Sequence, residues 1–166
     1  MELHYREGAT ADIKHLLALG ITAYGQFQQV LTEENWNKLY TNLSSEKTYV
    51  DLIEKSKCFV CVANNEIVGM ALLIPSGNPT KIFQADWSYI RMVGVNPRFE
   101  GRGIAKKLTQ LCIECAIENE EKIIALHTSE FMDAARHIYE KAGFKRVKEI
   151  EPIFGKRYWL YILELG

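Results

Sequence analysis

Apolar residues along this chain alternate between two periods, and the changeovers mark its elements. Residues 3–6 read as a short strand, and 9–21 as a helix with Thr10 as the expected N-cap. Tyr24, Phe27, Val30 and Leu31 keep helical spacing. A second helical stretch opens at Thr32, whose side chain suits a cap, and runs with interruption to Lys55. The pattern then changes. Residues 58–63 and 66–74 are β-rich runs joined by Asn64-Asn65, and asparagine tolerates the positive φ of a tight hairpin. After a loop at 75–79, residues 87–95 read as a strand, 101–119 as an amphipathic helix and 122–128 as an apolar strand. Residues 133–141 read as a helix stopped by Gly143, and 144–150 and 157–163 as two closing strands.

The passage from 87 to 128 is strand, helix, strand. A right-handed crossover and a parallel strand pair follow from it. Hairpins on either side add antiparallel neighbours, so the fold class is α/β with a mixed sheet flanked by helices on both faces. One domain over residues 1–166 is expected from the length and from the absence of a linker.

Bulk charge narrows the function. The formal net charge of −1 gives no broad field toward nucleic acid or membrane. No apolar run approaches the ~20 residues of a spanning helix. The first residues lack the layout of a signal peptide, so a cytoplasmic location is expected. Cys58 and Cys61, like Cys112 and Cys115, are spaced C-x-x-C, which invites a zinc reading. In a strand, however, Cys58 and Cys61 point to opposite faces, while Cys112 and Cys115 share the apolar face of their helix. Buried structural thiols are expected, with no metal.

The chemistry concentrates between Val93 and Lys106. A β-branched run stops at Asn96-Pro97, Gly101 and Gly103 follow, and a helix begins at once. A helix start carries unpaired N–H groups and the positive end of the macrodipole. Arg98, Arg102, Lys106 and Lys107 crowd that turn, where cations oppose the dipole by ~0.3–1 kcal/mol each. A bound anion accounts for them better than stability does. A Rossmann site would need a third glycine where Lys106 stands, and a P-loop would need Gly-Lys-Ser/Thr, which is absent.

These residues, with Ala135-Arg-His-Ile-Tyr-Glu-Lys-Ala-Gly-Phe144 downstream, resemble the motifs of the GNAT superfamily of acyl-CoA-dependent N-acetyltransferases. The resemblance covers residues 58–164. It implies a sheet splayed at its centre and acetyl-CoA as co-substrate. The pyrophosphate would lie on the loop and first turn formed by Arg98, Phe99, Glu100, Gly101, Arg102, Gly103, Ile104, Ala105 and Lys106. The pantetheine arm would pair with the backbone of Val93, Gly94 and Val95, Gly94 favouring close approach. A primary amine of a small molecule or peptide would attack the thioester directly, with no metal, in a ternary complex. Tyr139 matches the tyrosine that protonates the departing thiolate, although its spacing also fits a core position.

Three positions depart from the family pattern. Glu100 stands where glutamine or arginine is usual, and Met132 where many members carry asparagine. Tyr89 and Arg91 occupy the places in which a basic glutamate often sits. A base would be Asp86, a chain of waters, or nothing. A rival reading is a catalytically weak GNAT-fold sensor that binds acyl-CoA or a partner. The acceptor is expected between the N-terminal helices and the loops 75–86 and 152–155, near Tyr24, Phe27, Trp36, Tyr40, Phe83, Trp87 and Phe154. That aromatic setting suits a small or partly apolar amine. The C-terminal β-run offers an edge for a homodimer.

Overall fold

The computed structural model describes residues 2–166. Its spine is a seven-stranded sheet in the order β1-β2-β3-β4-β5-β7-β6. The strands are β1 (His4–Glu7), β2 (Lys57–Ala63), β3 (Glu66–Ile74), β4 (Ser88–Val95), β5 (Ile123–Ser129), β6 (Lys145–Ile153) and β7 (Lys156–Glu164). The helices are α1 (Ile13–Gly25), α2 (Glu33–Leu43), α3 (Glu46–Lys55), α4 (Ile104–Glu118) and α5 (Asp133–Lys141). Only β4 and β5 run parallel, as the intervening helix requires.

The period-two pattern of the strands feeds two cores. Cys58, Val60, Met70, Leu72 and Tyr89 face α1 and α3, meeting Leu16, Leu19, Tyr49 and Leu52. Their neighbours Cys61, Ala63, Ala71, Leu73 and Ile90 face the other way, against Ile104, Leu108, Cys112 and Cys115 of α4. Cys58 and Cys61 therefore lie in different cores, and all four cysteines are free and buried. Burial pushes the Cys58 thiol up to about 12, so it stays protonated and inert. Among the described residues no group of three or more metal-ligating side chains forms. No helix among them is long and apolar enough to cross a membrane.

Capping chemistry explains the helix starts, with one correction. Thr32 and Ser45 accept from the amides of Asn35 and Thr48, splitting the second helical stretch into α2 and α3. Thr10 does not cap. It begins a 3-10 turn, Thr10–Asp12, and the carboxylate of Asp12 accepts from the amide of Ala9 at 2.9 Å. Arg6 also pairs with Asp12 and holds its carboxyl below the usual range. Asn64 and Asn65 both take positive φ, 51° and 64°, closing the β2–β3 hairpin as their residue type suggests.

The final strand is not an edge. β7 lies between β5 and β6, so the last run does not offer the edge expected of it, and the sheet ends on that side at β6. That strand is almost wholly exposed and carries Lys145, Lys148 and Pro152, residues that discourage pairing with another sheet.

Candidate active site

β4 and β5 part company at the centre of the sheet. Their pairing is confined to Ser88 with Ile124 and Tyr89 with Ala125. Beyond those residues each strand keeps its outer partner, β3 or β7, and faces an opening on its inner side. A bulge in β4 helps make the gap. Its register against β3 shifts between Met70 and Leu72, and Met92 sits at φ 57°, a left-handed conformation that is costly for a side chain of its size. The opening widens into a cleft of about 1050 Å³.

Helix α4 begins at one end of this cleft. Lys107 is the first residue there whose amide reaches back to the helix, bonding the Gly103 carbonyl at 3.0 Å. The amides of Ile104, Ala105 and Lys106 precede any helical acceptor and lie in the cleft lining. Gly101 and Gly103 hold φ of 78° and 74°, and a Cβ on either would meet nothing within 4 Å. Their role is therefore conformational: they turn the chain into α4 and leave the approach to its amides bare. Because those two glycines form a turn, the helix starts at Ile104, three residues after the start expected from the sequence.

All the residues expected to hold the cofactor line the cleft except Arg98 and Arg102. The Arg98 amide bonds the Asn96 side chain, and the Arg102 guanidinium lies over the Phe99 ring at 5.5 Å. Glu100 is exposed and pairs with neither arginine. Gly94 differs from expectation in a specific way. The space that a Cβ would need is taken on the α1 side, with Ala23 at 3.2 Å, so this glycine lets α1 pack closely on β4.

Tyr139 projects from α5 into the same cleft. Its ring packs edge-on against Phe144, and no group among the described residues hydrogen-bonds its hydroxyl. Burial drives the phenol well above its ordinary range, so it keeps its proton at any physiological pH.

The opposite wall is aromatic. Tyr24 on α1 meets Phe27, which meets Phe131; Phe131 meets Tyr158, and Tyr158 meets His127 on β5. Phe83 stacks behind His127 and Tyr89. Of the aromatics expected around the acceptor, Tyr24, Phe27 and Phe154 line the cleft. Trp36, Tyr40 and Trp87 do not, and Phe83 is buried as a backing for the wall. The loop 75–86 contributes no lining residue, and Asp86 is exposed outside the cleft, which removes it as a base.

His127 is the group the sequence did not single out. It follows the apolar residues 123–126 of a strand, where a lone histidine reads as core. Its Nδ1 is buried with no partner, and burial lowers its pKa to about 4, the nearby Arg91 charge adding to the effect. The imidazole is therefore neutral at pH 7. Arg91, from β4, lies on the same face of the opening and forms no ion pair with any described residue.

Comparison with known proteins agrees with this geometry. The model described as the Acetyltransferase (GNAT) family matches residues 26–144. The chain belongs to the GNAT family. Its fold is shared with a crystal structure of PaiA N-acetyltransferase from Thermoplasma acidophilum in complex with coenzyme A, at a TM-score of 0.80 and 13% identity over 99% of both chains. Among curated relatives, N-acetylaspartate synthetase of Danio rerio is 29% identical over 113 residues, 68% of this chain and 38% of that protein. N-alpha-acetyltransferase 30 of Schizosaccharomyces pombe is 36% identical over 77 residues, 45% of this chain and 51% of that one. This chain thus aligns with about two-fifths to one-half of the length of these relatives.

Proposed function

We propose that this GNAT chain, acting as one domain, transfers an acetyl group from acetyl-CoA directly to a primary amine. The observation that carries the reading is the opening between β4 and β5, which leads from the bare first turn of α4 to the unpartnered hydroxyl of Tyr139. Relatives named as an N-acetylaspartate synthetase and an N-alpha-acetyltransferase support an amino acid or a peptide terminus as the kind of amine.

The residues present suit the co-substrate. Free amides at Ile104, Ala105 and Lys106 would receive the diphosphate, with the Lys106 side chain beside them. The inner edge of β4, which has no strand partner beyond Tyr89 and whose Val93 carbonyl accepts from Tyr24, would take the pantetheine arm as a short extra strand. Acetyl-CoA supplies the activated thioester. The amine nitrogen bonds the carbonyl carbon, the carbon–sulfur bond breaks, and the sulfur leaves with the electron pair. Tyr139 gives its proton to that sulfur, a contribution of ~10²–10⁴-fold in general acid catalysis. The proton released by the amine returns to the phenol or passes to water. His127 lies on this path as a neutral acceptor, weak because its pKa is near 4.

Two measurements test the reading. Acetyl-CoA is expected to raise the melting temperature, whereas NAD and ATP are not. Thiol release is expected when acetyl-CoA meets a suitable amine. A melting shift with no transfer across a broad amine panel would assign the fold to sensing, and no shift at all would reject the cofactor site.

A further inference from the structure

We propose that Arg91 binds a carboxylate of the acceptor, so that the amine acetylated here belongs to an amino-acid-like anion. The inference rests on the acetyltransferase reading and narrows its substrate class.

Arg91 follows Tyr89 by two residues on β4, and Tyr89 packs into the α1–α3 core while Ile90 packs into the α4 core. The side chain of Arg91 is thereby directed to the face opposite α4, away from the turn that suits a diphosphate. His127 lies across the opening on that same face, between Phe83 and Tyr158. Arg91 is half-buried and lines the cleft, yet no carboxylate among the described residues pairs with it.

Its surroundings are polar but neutral. The Arg91 charge acts on Tyr24, Tyr89 and His127, two phenols and an imidazole. Two carboxylates line the cleft, and neither serves. Asp133 is engaged by Arg136, and Glu100 lies in the loop before α4. The chain's other half-buried arginine, Arg136, has its own aspartate, and so does the exposed Arg6. A partly desolvated cation with no counter-charge is costly, and an arginine fork matches a carboxylate through two parallel hydrogen bonds. An incoming anion would complete the site, whereas a polyamine would bring a second positive charge to it.

The occupant's size is limited as well. The cleft of about 1050 Å³ must also admit the thioester arm, and the wall from Tyr24 to Tyr158 encloses the remainder. A small amino acid fits these terms. An uncharged peptide N-terminus leaves Arg91 unanswered.

The test uses the full chain, acetyl-CoA and amines paired as carboxylate and carboxamide: aspartate with its amides, and glycine with glycinamide. Spermidine and a neutral peptide are run beside them, and thiol release is compared per free amine. The carboxylate member is expected to exceed its amide at least tenfold in kcat/KM. Arg91→Met should bring that ratio to about one by raising the acceptor KM, with the acetyl-CoA KM within twofold of the parent. Arg91→Lys should restore part of the ratio. A parent enzyme that prefers the carboxamide, spermidine or the neutral peptide overturns the inference and leaves acetyl transfer intact. A ratio unmoved by Arg91→Met overturns it too, as does acetyl-CoA binding with no transfer to any carboxylate amine. Loss of both acetyl-CoA binding and transfer in the parent would instead remove the underlying reading. The paired substrates keep the parent enzyme informative if the variant folds poorly.

Discussion

The Tyr24 hydroxyl on α1 donates to the carbonyl of Val93 on β4 at 3.1 Å, spanning 69 positions of sequence. The bond lands in the bulged segment, one residue after Met92, and ties the first helix to the inner edge of the open sheet. Burial pushes the Tyr24 phenol up to about 12, so it remains a donor throughout the working range. Replacing it with phenylalanine is expected to cost about 1 kcal/mol. That corresponds to a fall of roughly 2–4 °C in melting temperature for a chain of this size. Calorimetry checks it, and an unchanged melting point would mean that water replaces the bond at no cost.

Tyr139→Phe separates chemistry from binding. Turnover is expected to fall about 100-fold or more, because only the proton donor is lost. Acetyl-CoA affinity should stay within twofold, since the ring and its packing on Phe144 remain. The raised phenol also predicts that the parent's kcat shows no alkaline loss from this group up to pH 10. Rapid-mix thiol release alongside equilibrium titration of acetyl-CoA reads both quantities.

Two glycine substitutions should fail in different ways. Gly103→Ala meets open space but must hold φ near 74°, a strain of about 1 kcal/mol. Its main effect is expected on acetyl-CoA binding, through the turn ahead of α4. Gly94→Ala keeps an ordinary φ but presses Ala23 at 3.2 Å, so that α1 must give by a few tenths of an ångström. Stability should fall in that variant, with the Tyr24–Val93 bond lengthened. Equal loss of stability and of cofactor affinity in both variants would contradict the distinction.

His127 sets a pH dependence whose sign is fixed. Its folded pKa, about 4, lies below the ordinary imidazole value of 6.5, so the unfolded chain binds more protons between those values. Stability from this group is full above pH 6.5 and is lost as pH falls toward 4. The amount is about 3.5 kcal/mol, from about 1.4 kcal/mol per pH unit over the interval. In His127→Gln the denaturation midpoint should change less over that window than in the parent. An identical acid slope in the two proteins would show that other groups govern it.

Much of this architecture was written locally. The periods alone mark β3 and α5 with the bounds the structure gives them, Glu66–Ile74 and Asp133–Lys141. The asparagine hairpin and the Thr32 cap also follow from residue type, because each depends on groups only a few positions apart. The candidate site was half legible. Gly101, Gly103 and Tyr139 stand in short motifs that survive in one dimension. His127 and the carboxylate-free setting of Arg91 do not, since both are defined by what arrives from other elements. Phe83 illustrates the difference. It was expected beside the acceptor, yet it packs 4.2 Å from Tyr89 beneath the wall, where no local pattern could have put it.

The sequence by itself determined the order of strands and helices, the bare turn before α4 and the family of the fold, because periodicity and glycine conformation act over neighbouring residues. Tertiary structure alone decided that β4 and β5 separate after Tyr89, that α1 packs closely beside Gly94, and that β6 rather than β7 is the edge. It also decided which side chains face one another across the opening. Those outcomes depend on the summed packing of elements far apart in the chain, where a bulge at Met92 and a hydrogen bond from Tyr24 set distances that no local signal encodes.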